Sequence, residues 1–355
     1  MATIRDVARE SNVSIATVSR VFNNSPLVSD TTRQRVAAVA AKMGYWPNGI
    51  ARCLITRRTH TVGVLRPDLH GEFFSDGIRG IDLAARETGF HILVSRSSSS
   101  AGELADALRS MRGRVEGLIV MAPDLEDAPA TLRQCAGNIA AVMLDPEETA
   151  PGYDSISIAN SDGAGAVVRH LLGLGHRRIA TITGPVHNID ARQRLDGYRA
   201  ALRESGIEPS PDLEMPGSFT EPSGYEAARE LLRRSPRPTA IFVANDHMAI
   251  GVMGALQDAG VRVPEDIAVV GFDDIPTARF LTPPLTTVRV DKLLLGQRAL
   301  QLLLDPDRDS RPGQGRHEVV PITLVVRRSC GAGPPDDGDA RVHWEQVRPA
   351  SSAAK

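Results

Sequence analysis

Apolar residues in the first 45 positions recur every three to four residues, in three short blocks separated by polar turns. Ile4, Val7 and Ala8 mark the first block, and Thr3 followed by Asp6 supplies a capping-box start, so the pattern predicts a helix from Ile4 to about Ser11. Asn12 and Val13 form a tight turn. Ser14 then caps a second helix, Ile15 to Phe22, with Val18 and Val21 facing inward and Ile15, Ala16, Ser19 and Arg20 facing out. A third helix is expected after Ser29, with Val36, Val39, Ala40 and Met43 on one face and a stop at Gly44. Two short helices joined by so tight a turn set the second steeply against the first, the geometry that seats a helix in the major groove of DNA. A small bundle used only for packing is the alternative.

From Thr61 the period changes. Short β-rich runs, TVGVL (61–65), HILVS (91–95), GLIVM (117–121), AAVML (140–144), ISIA (156–159), RIATITG (178–184), AIFVAN (240–245), IAVVGFD (267–273) and TTVRV (286–290), alternate with amphipathic stretches. That alternation predicts doubly wound α/β units with parallel sheets. Two units are expected, about 61–160 and 161–290, with 292–328 returning to complete the first. Ligands in such sheets bind beyond the carboxyl ends of the strands, which in a two-lobed body is the cleft between lobes. Polar groups ending apolar strands are therefore candidates: Asp145 after AVML, Asn245 after AIFVA and Asp273 after VVGF. Helix capping or a structural ion pair would account for the same residues.

Charge divides the chain as the periodicity does. The formal net charge is −2, yet residues 1–60 hold nine arginines and lysines against three acids, a local charge of +6, leaving −8 for the remainder. A basic head on an acidic body favours oriented binding of a polyanion. No apolar run approaches the roughly 20 residues of a membrane helix, and the first 30 residues lack a secretory pattern, so the cytoplasm is the expected compartment. Cys53, Cys135 and Cys330 are widely spaced and read as free thiols. The nine histidines form no metal-binding pair, no serine lies in a nucleophile elbow, and DGAGAV (162–167) lacks full glycine-loop spacing. These patterns predict no metal site, no cofactor and no catalytic machinery.

The segment TIRDVARESNVSIATVSRVFNNSPLVSDTTRQRVAAVAAKMGYWPNGIARCL closely resembles the helix-turn-helix and hinge of the lactose/galactose repressor (LacI/GalR) family. Family-like segments continue through PDLHGEFFSDGIRGID, HLLGLGHRRIATITG, RQRLDGYRAAL, FVANDHMAIG and VVGFDDIP, so the resemblance spans about residues 2–328. It implies an all-α helix-turn-helix domain at 1–46, a hinge helix and linker at 47–60, and a two-lobed periplasmic-binding-protein-like ligand and dimerisation domain at 61–330. The tail, 331–355, is expected to be disordered.

By the same resemblance Ile15, Ala16 and Arg20 occupy base-reading positions: an arginine can pair with guanine O6 and N7, and small apolar groups can pack on thymine methyls. Thr17, Ser19 and Asn23 suit phosphate contacts, although capping or solvent exposure would also explain Thr17 and Ser19. Leu54, in the hinge, matches a leucine that wedges into the minor groove. In the body the resemblance places Arg194, Phe73, Phe74 and Phe219 near the ligand together with Asp145, Asn245 and Asp273. Carboxylates and an amide beside aromatic faces suit a sugar. The resemblance thus implies a homodimeric repressor on double-stranded operator DNA, controlled by a small effector, a sugar in the first reading and a purine-type corepressor in the second. A sugar-binding protein or enzyme without a DNA role would leave the +6 head unexplained.

Overall fold

In the computed structural model the described residues are 2–22, 25–45, 58–66, 72–96, 100–123, 125, 127–146, 152–308, 315–333 and 341–342. The chain divides into two units, Met1–Thr59 and His60–Lys355. The first contains helices α1 (Ile4–Glu10), α2 (Ile15–Phe22) and α3 (Asp30–Lys42). Thr3 and Asp6 form the reciprocal capping box at α1, with Thr3 N–H donating to Asp6 Oδ2 at 3.0 Å. Asn12 takes the left-handed conformation that turns the chain, at φ 49°. Ser14 accepts from the Thr17 N–H at 3.1 Å and starts α2, while Ser29 caps α3. The core is small and β-branched: Val7, Ala8, Val18, Val21, Val28, Val36 and Ala40 are buried together.

The second unit has two parallel sheets. The first lobe contains β1 (Thr61–Arg66), β2 (His91–Arg96), β3 (Gly117–Met121), β4 (Ala140–Leu144), β5 (Asp154–Ile158) and β11 (His317–Val320). Their order is β11-β5-β4-β3-β1-β2, every pairing parallel. Helices α4 (Glu72–Glu87), α5 (Ala101–Met111), α6 (Ala128–Ala136) and α11 (Lys292–Leu303) belong to this lobe. The second lobe has the parallel order β7-β6-β8-β9, from β6 (Ile179–Ile182), β7 (Glu214–Met215), β8 (Ala240–Val243) and β9 (Ala268–Val270). Its helices are α7 (Asn160–Gly173), α8 (Ile189–Glu204), α9 (Glu221–Leu232) and α10 (Asp246–Asp258). Runs such as GLIVM and AIFV are buried along their whole length, as strands covered by helices on both faces must be.

The chain passes between lobes three times, after β5, after β10 (Thr287–Val290) and after β11. Residues 292–320 return to the first lobe as expected. Pro321 then interrupts the strand, and β12 (Ile322–Val325) pairs antiparallel with β10 rather than extending the first sheet. Ser329 bonds to Val269 of the second lobe in both directions, its carbonyl accepting at 2.8 Å and its hydroxyl donating at 2.6 Å. The expectation that 292–328 completes the first lobe is thus corrected to 292–320. Within the tail, β13 (Arg341–Val342) pairs with β12. DGAGAV lies inside α7, as a helix and not a phosphate loop.

Two glycines set the helix spacing that matters for the site. A side chain at Gly197 of α8 would strike the Ser161 carbonyl of α7, and one at Gly251 of α10 would strike the Glu221 carbonyl of α9. Their absence of a Cβ lets these pairs approach closely, which brings Arg194 to Asn160 and His247 to Glu221.

Candidate functional site

On the head, α2 buries Val18 and Val21 and leaves Ile15, Ala16 and Arg20 exposed, Ile15 at 46%. An isoleucine so exposed in a unit whose other valines are inside needs a reason, and an apolar partner on the outer face is one. Thr17 is partly buried, its hydroxyl 2.9 Å from Ser14 Oγ, so the side chain belongs to the cap as well as to the outer surface. Ser19 is also partly buried. Asn23 and Leu54 lie outside the described residues. Sequence reasoning missed Arg33: from α3 it donates to the Ser25 and Val21 carbonyls at 2.9 and 3.4 Å, tying down the C-terminal end of α2. No local pattern distinguishes it from Arg35, the other arginine of α3, because its partners are backbone atoms.

In the body, residues that follow strands of both lobes come together: the Ala244 carbonyl after β8 accepts from Arg194, and Asp145 after β4 interacts with the charges of Asp190 and Arg194. Arg194 is 3% exposed. Its Nε donates to Asn160 Oδ1 at 2.9 Å, Nη1 to the Ala244 carbonyl at 2.5 Å, and Nη2 lies 3.2 Å from Asp273 Oδ1. Its guanidinium also sits 3.8 Å from the Phe272 ring centroid and 6.0 Å from that of Phe219. Asp273 adopts φ 107°, a strained conformation for a residue with a side chain, stabilised by its N–H bond to the Val288 carbonyl at 2.8 Å. Burial raises its carboxyl above the usual range, and Arg194, Lys292 and His247 oppose that rise.

Asp145 ends β4 at φ 47° and accepts from the Ile158 N–H at 2.8 Å. Its carboxyl is pushed well above the usual range by burial and by the neighbouring charge of Asp190, with Arg194 pulling the other way. Asp145 belongs to the first lobe and Asp190 to the second, so two carboxyls meet across the seam. Asn160 joins the group by donating to Asp190 Oδ1 at 2.9 Å and Gln193 Oε1 at 3.2 Å.

The aromatic candidates line the same seam. Phe73 and Phe74 stand edge to face in the first turn of α4, centroids 5.4 Å apart. Arg66 lies 4.6 Å from the Phe74 ring and Lys292 Nζ 5.8 Å from that of Phe73. Phe219, at φ 63°, presses its ring against Gly184, where any side chain would collide with it. Asn245 is occupied differently from the expectation. Its Oδ1 accepts from Met248 N–H at 2.9 Å and caps α10, while Nδ2 donates to the Phe219 carbonyl at 3.1 Å. It holds Phe219 in place and has both ends of its amide engaged with the protein.

Asn160, Asp190 and Lys292 were not among the expected residues. Asn160 follows ISIA as Asn245 follows AIFVA, so the same strand-end signal could have found it. Lys292 carried none, as the first residue of an ordinary amphipathic helix; here its buried ammonium crosses the seam to the Asp273 carbonyl at 2.5 Å. Neighbouring Asp274 is a structural anion. Burial would raise its carboxyl, but Arg289 at 2.6 Å and Arg327 at 2.7 Å hold it below the usual range. Among the described residues no group of three or more histidines, cysteines or acids could hold a metal, and no helix is long and apolar enough to cross a membrane.

The head thus presents Arg20 on the outer face of its second helix, and the body has two lobes with a polar seam between their sheets. Residues 3–48 match the profile of bacterial regulatory proteins of the lacI family, and residues 168–330 that of a periplasmic binding protein-like domain. The chain is 35% identical over 325 residues to the ribose operon repressor of Escherichia coli strain K12, covering 91% of this chain and 98% of that protein. It is 33% identical over 330 residues to the HTH-type transcriptional repressor PurR of Photobacterium profundum, covering 93% and 98%. A crystal structure of the Lac repressor dimer bound to operator and the anti-inducer ONPF superposes with a TM-score of 0.83 at 34% identity, covering 93% and 99%. The chain belongs to the lacI family of bacterial regulatory proteins.

Proposed function

We propose that this regulator is a cytoplasmic repressor that binds operator DNA as a homodimer and releases or grips it according to a sugar bound at the lobe seam. On DNA, Arg20 reads a guanine edge, Ile15 and Ala16 pack on thymine methyls, and Thr17, Ser19 and Asn23 set register on phosphates. Leu54 enters the minor groove at the operator centre. In the body Arg194, Asp273 and Asp145 take the hydroxyls of the effector, and Phe73, Phe74 and Phe219 take its C–H faces. Asn245 contributes by holding Phe219.

The observation that carries this reading is the buried Arg194, tied to Asn160 and paired with Asp273 at the meeting of the lobes. A charge buried so deeply is costly unless its environment is organised around it; its three contacting acceptors come from the second lobe, and the Asp145 carboxyl of the first lobe lies near enough to interact with its charge. Likeness to a ribose operon repressor supports the sugar. Likeness to PurR, together with the aromatic rings at the seam, supports a nucleobase as the second reading. Thermal melting with pentoses, hexoses and purine bases separates the two. A bound effector at about 100 times its Kd adds about 2.7 kcal/mol, a rise on the order of 5 °C for a body of this size. A rise with purine bases alone would reject the sugar. By linkage, an effector that weakens operator binding by some factor binds the DNA-bound form less tightly by the same factor.

A further inference from the structure

Three buried side-chain oxygens and nitrogens at the lobe seam have no hydrogen-bond partner among the described residues: Asp273 Oδ1, Glu72 Oε2 and His247 Nε2. They come from different elements. Glu72 opens α4 in the first lobe, and its other oxygen accepts from the Thr277 hydroxyl of the second lobe at 3.0 Å. Thr277 lies in the turn that follows Asp273, and Phe73, next to Glu72, shares Lys292 with the Asp273 carbonyl. His247 lies in the first turn of α10, close enough to Asp273 to interact with its charge. All three atoms therefore border the region where Arg194 and the phenylalanines meet.

Their hydrogen-bonding sense is the same. Asp273 Oδ1 faces Arg194 as an ion-pair contact at 3.2 Å without completing a hydrogen bond, and a carboxylate oxygen can only accept. Glu72 Oε2 is likewise an acceptor. His247 Nδ1 lies 2.6 Å from Glu221 Oε1. Although burial opposes it, the bond from His247 holds the Glu221 carboxyl below its usual range, so the carboxylate accepts and the ring proton sits on Nδ1. With the ring neutral, that arrangement leaves Nε2 as a lone-pair acceptor facing the seam. Buried polar atoms are normally satisfied, and an unsatisfied set with one polarity describes the partner it needs.

We infer that Glu72 and His247 are effector-contacting residues which, with Asp273, form an acceptor rim for a ligand edge carrying several hydroxyl or N–H donors. A polyhydroxylated pentose or hexose meets that demand. A purine base, with few donors and several ring acceptors, meets it poorly. This rests on the seam being the effector site, and it adds the polarity of the recognised edge and two residues that read it. Glu72 has a second consequence, because the side chain that would bond the effector also bridges the lobes through Thr277.

The test is isothermal calorimetry with D-ribose, D-xylose, D-glucose, D-galactose, hypoxanthine and adenine on the full-length protein, and on Glu72→Gln, His247→Phe and Arg194→Ala. Melting curves of each variant establish that it is folded, and Glu72→Met is the second variant if Glu72→Gln does not fold. Wild-type protein is expected to bind at least one sugar, with Kd rising about tenfold or more in Glu72→Gln and in His247→Phe. Monodeoxy forms of the bound sugar should identify a hydroxyl whose removal weakens binding to wild type but not further to the variant that lost its acceptor. Wild-type protein that binds no sugar of the panel overturns the inference. If a sugar binds and Arg194→Ala abolishes binding while both rim variants keep wild-type Kd, the seam stands as the site and the acceptor rim is overturned. If Arg194→Ala also keeps wild-type Kd, the site reading itself fails.

Discussion

Arg20 and Arg194 both sit on helices, and their surroundings are opposite. Arg20 is exposed on α2, whose inner face is little more than Val18 and Val21. Arg194 is enclosed, with a partner at each of its nitrogens and an aromatic face beside it. The head keeps Arg20 in water, where the proposed phosphate or base-edge contact would carry little desolvation cost. The body already surrounds Arg194 with acceptors. The proposed chemistry of the head is therefore separable from its stability, while Arg194 is also part of what holds the second lobe together.

The sharpest attack on that contrast is Arg194→Ala. Removing Arg194 takes away the ion-pair partner of buried Asp273, and the body should lose about 3–5 kcal/mol in denaturant unfolding, along with measurable effector affinity. A variant as stable as wild type would mean that seam and stability are separable after all. Arg20→Ala is the matching test on the head. Operator affinity should fall by about 1–3 kcal/mol with discrimination relaxed at one base pair, while stability moves by no more than about 0.5 kcal/mol. Footprinting against substituted operators and thermal melting read both halves of that expectation.

Smaller effects sharpen the comparison. Asn245→Ala removes the α10 cap and should cost about 1 kcal/mol, with a weaker effector response because Phe219 loses its anchor. Asp145 offers a pH test. Its folded carboxyl titrates above its unfolded value, so the folded state holds the proton more tightly and wild type loses stability as pH rises from about 3.8 towards the folded pKa. Asp145→Asn does not titrate. The stability difference between the two should move in favour of the variant over that window and then level off, as measured by denaturant unfolding at stepped pH.

The same contrast explains what could be read without coordinates. The Thr3–Asp6 box, the Ser14 and Ser29 caps and the Val18/Val21 face depend on neighbours within four residues, so helix boundaries and exposed positions in the head followed from local spacing. Strands of the body announced themselves as apolar runs, and strand-end polarity pointed to Asp145, Asn245 and Asp273. The cap made by Asn245 is local, accepting from Met248 N–H three residues on, but local pattern could not show that its other end holds Phe219, 26 residues away. It gave no sign of Lys292 or Glu72, whose partners lie on the other lobe. The route of 321–328 was misplaced because Pro321 reads as a strand break, and only pairing with β10 decides which lobe the chain joins.

The central claim is that effector binding at the seam alters the grip of the head on DNA. Its most direct test is fluorescence anisotropy of a selected operator duplex, titrated with protein at fixed salt, with and without whichever compound raises the melting temperature. The account predicts that this compound shifts the operator Kd by about 5- to 150-fold, and that the shift is lost in Arg194→Ala. An operator Kd that stays constant while the compound saturates the body would contradict it.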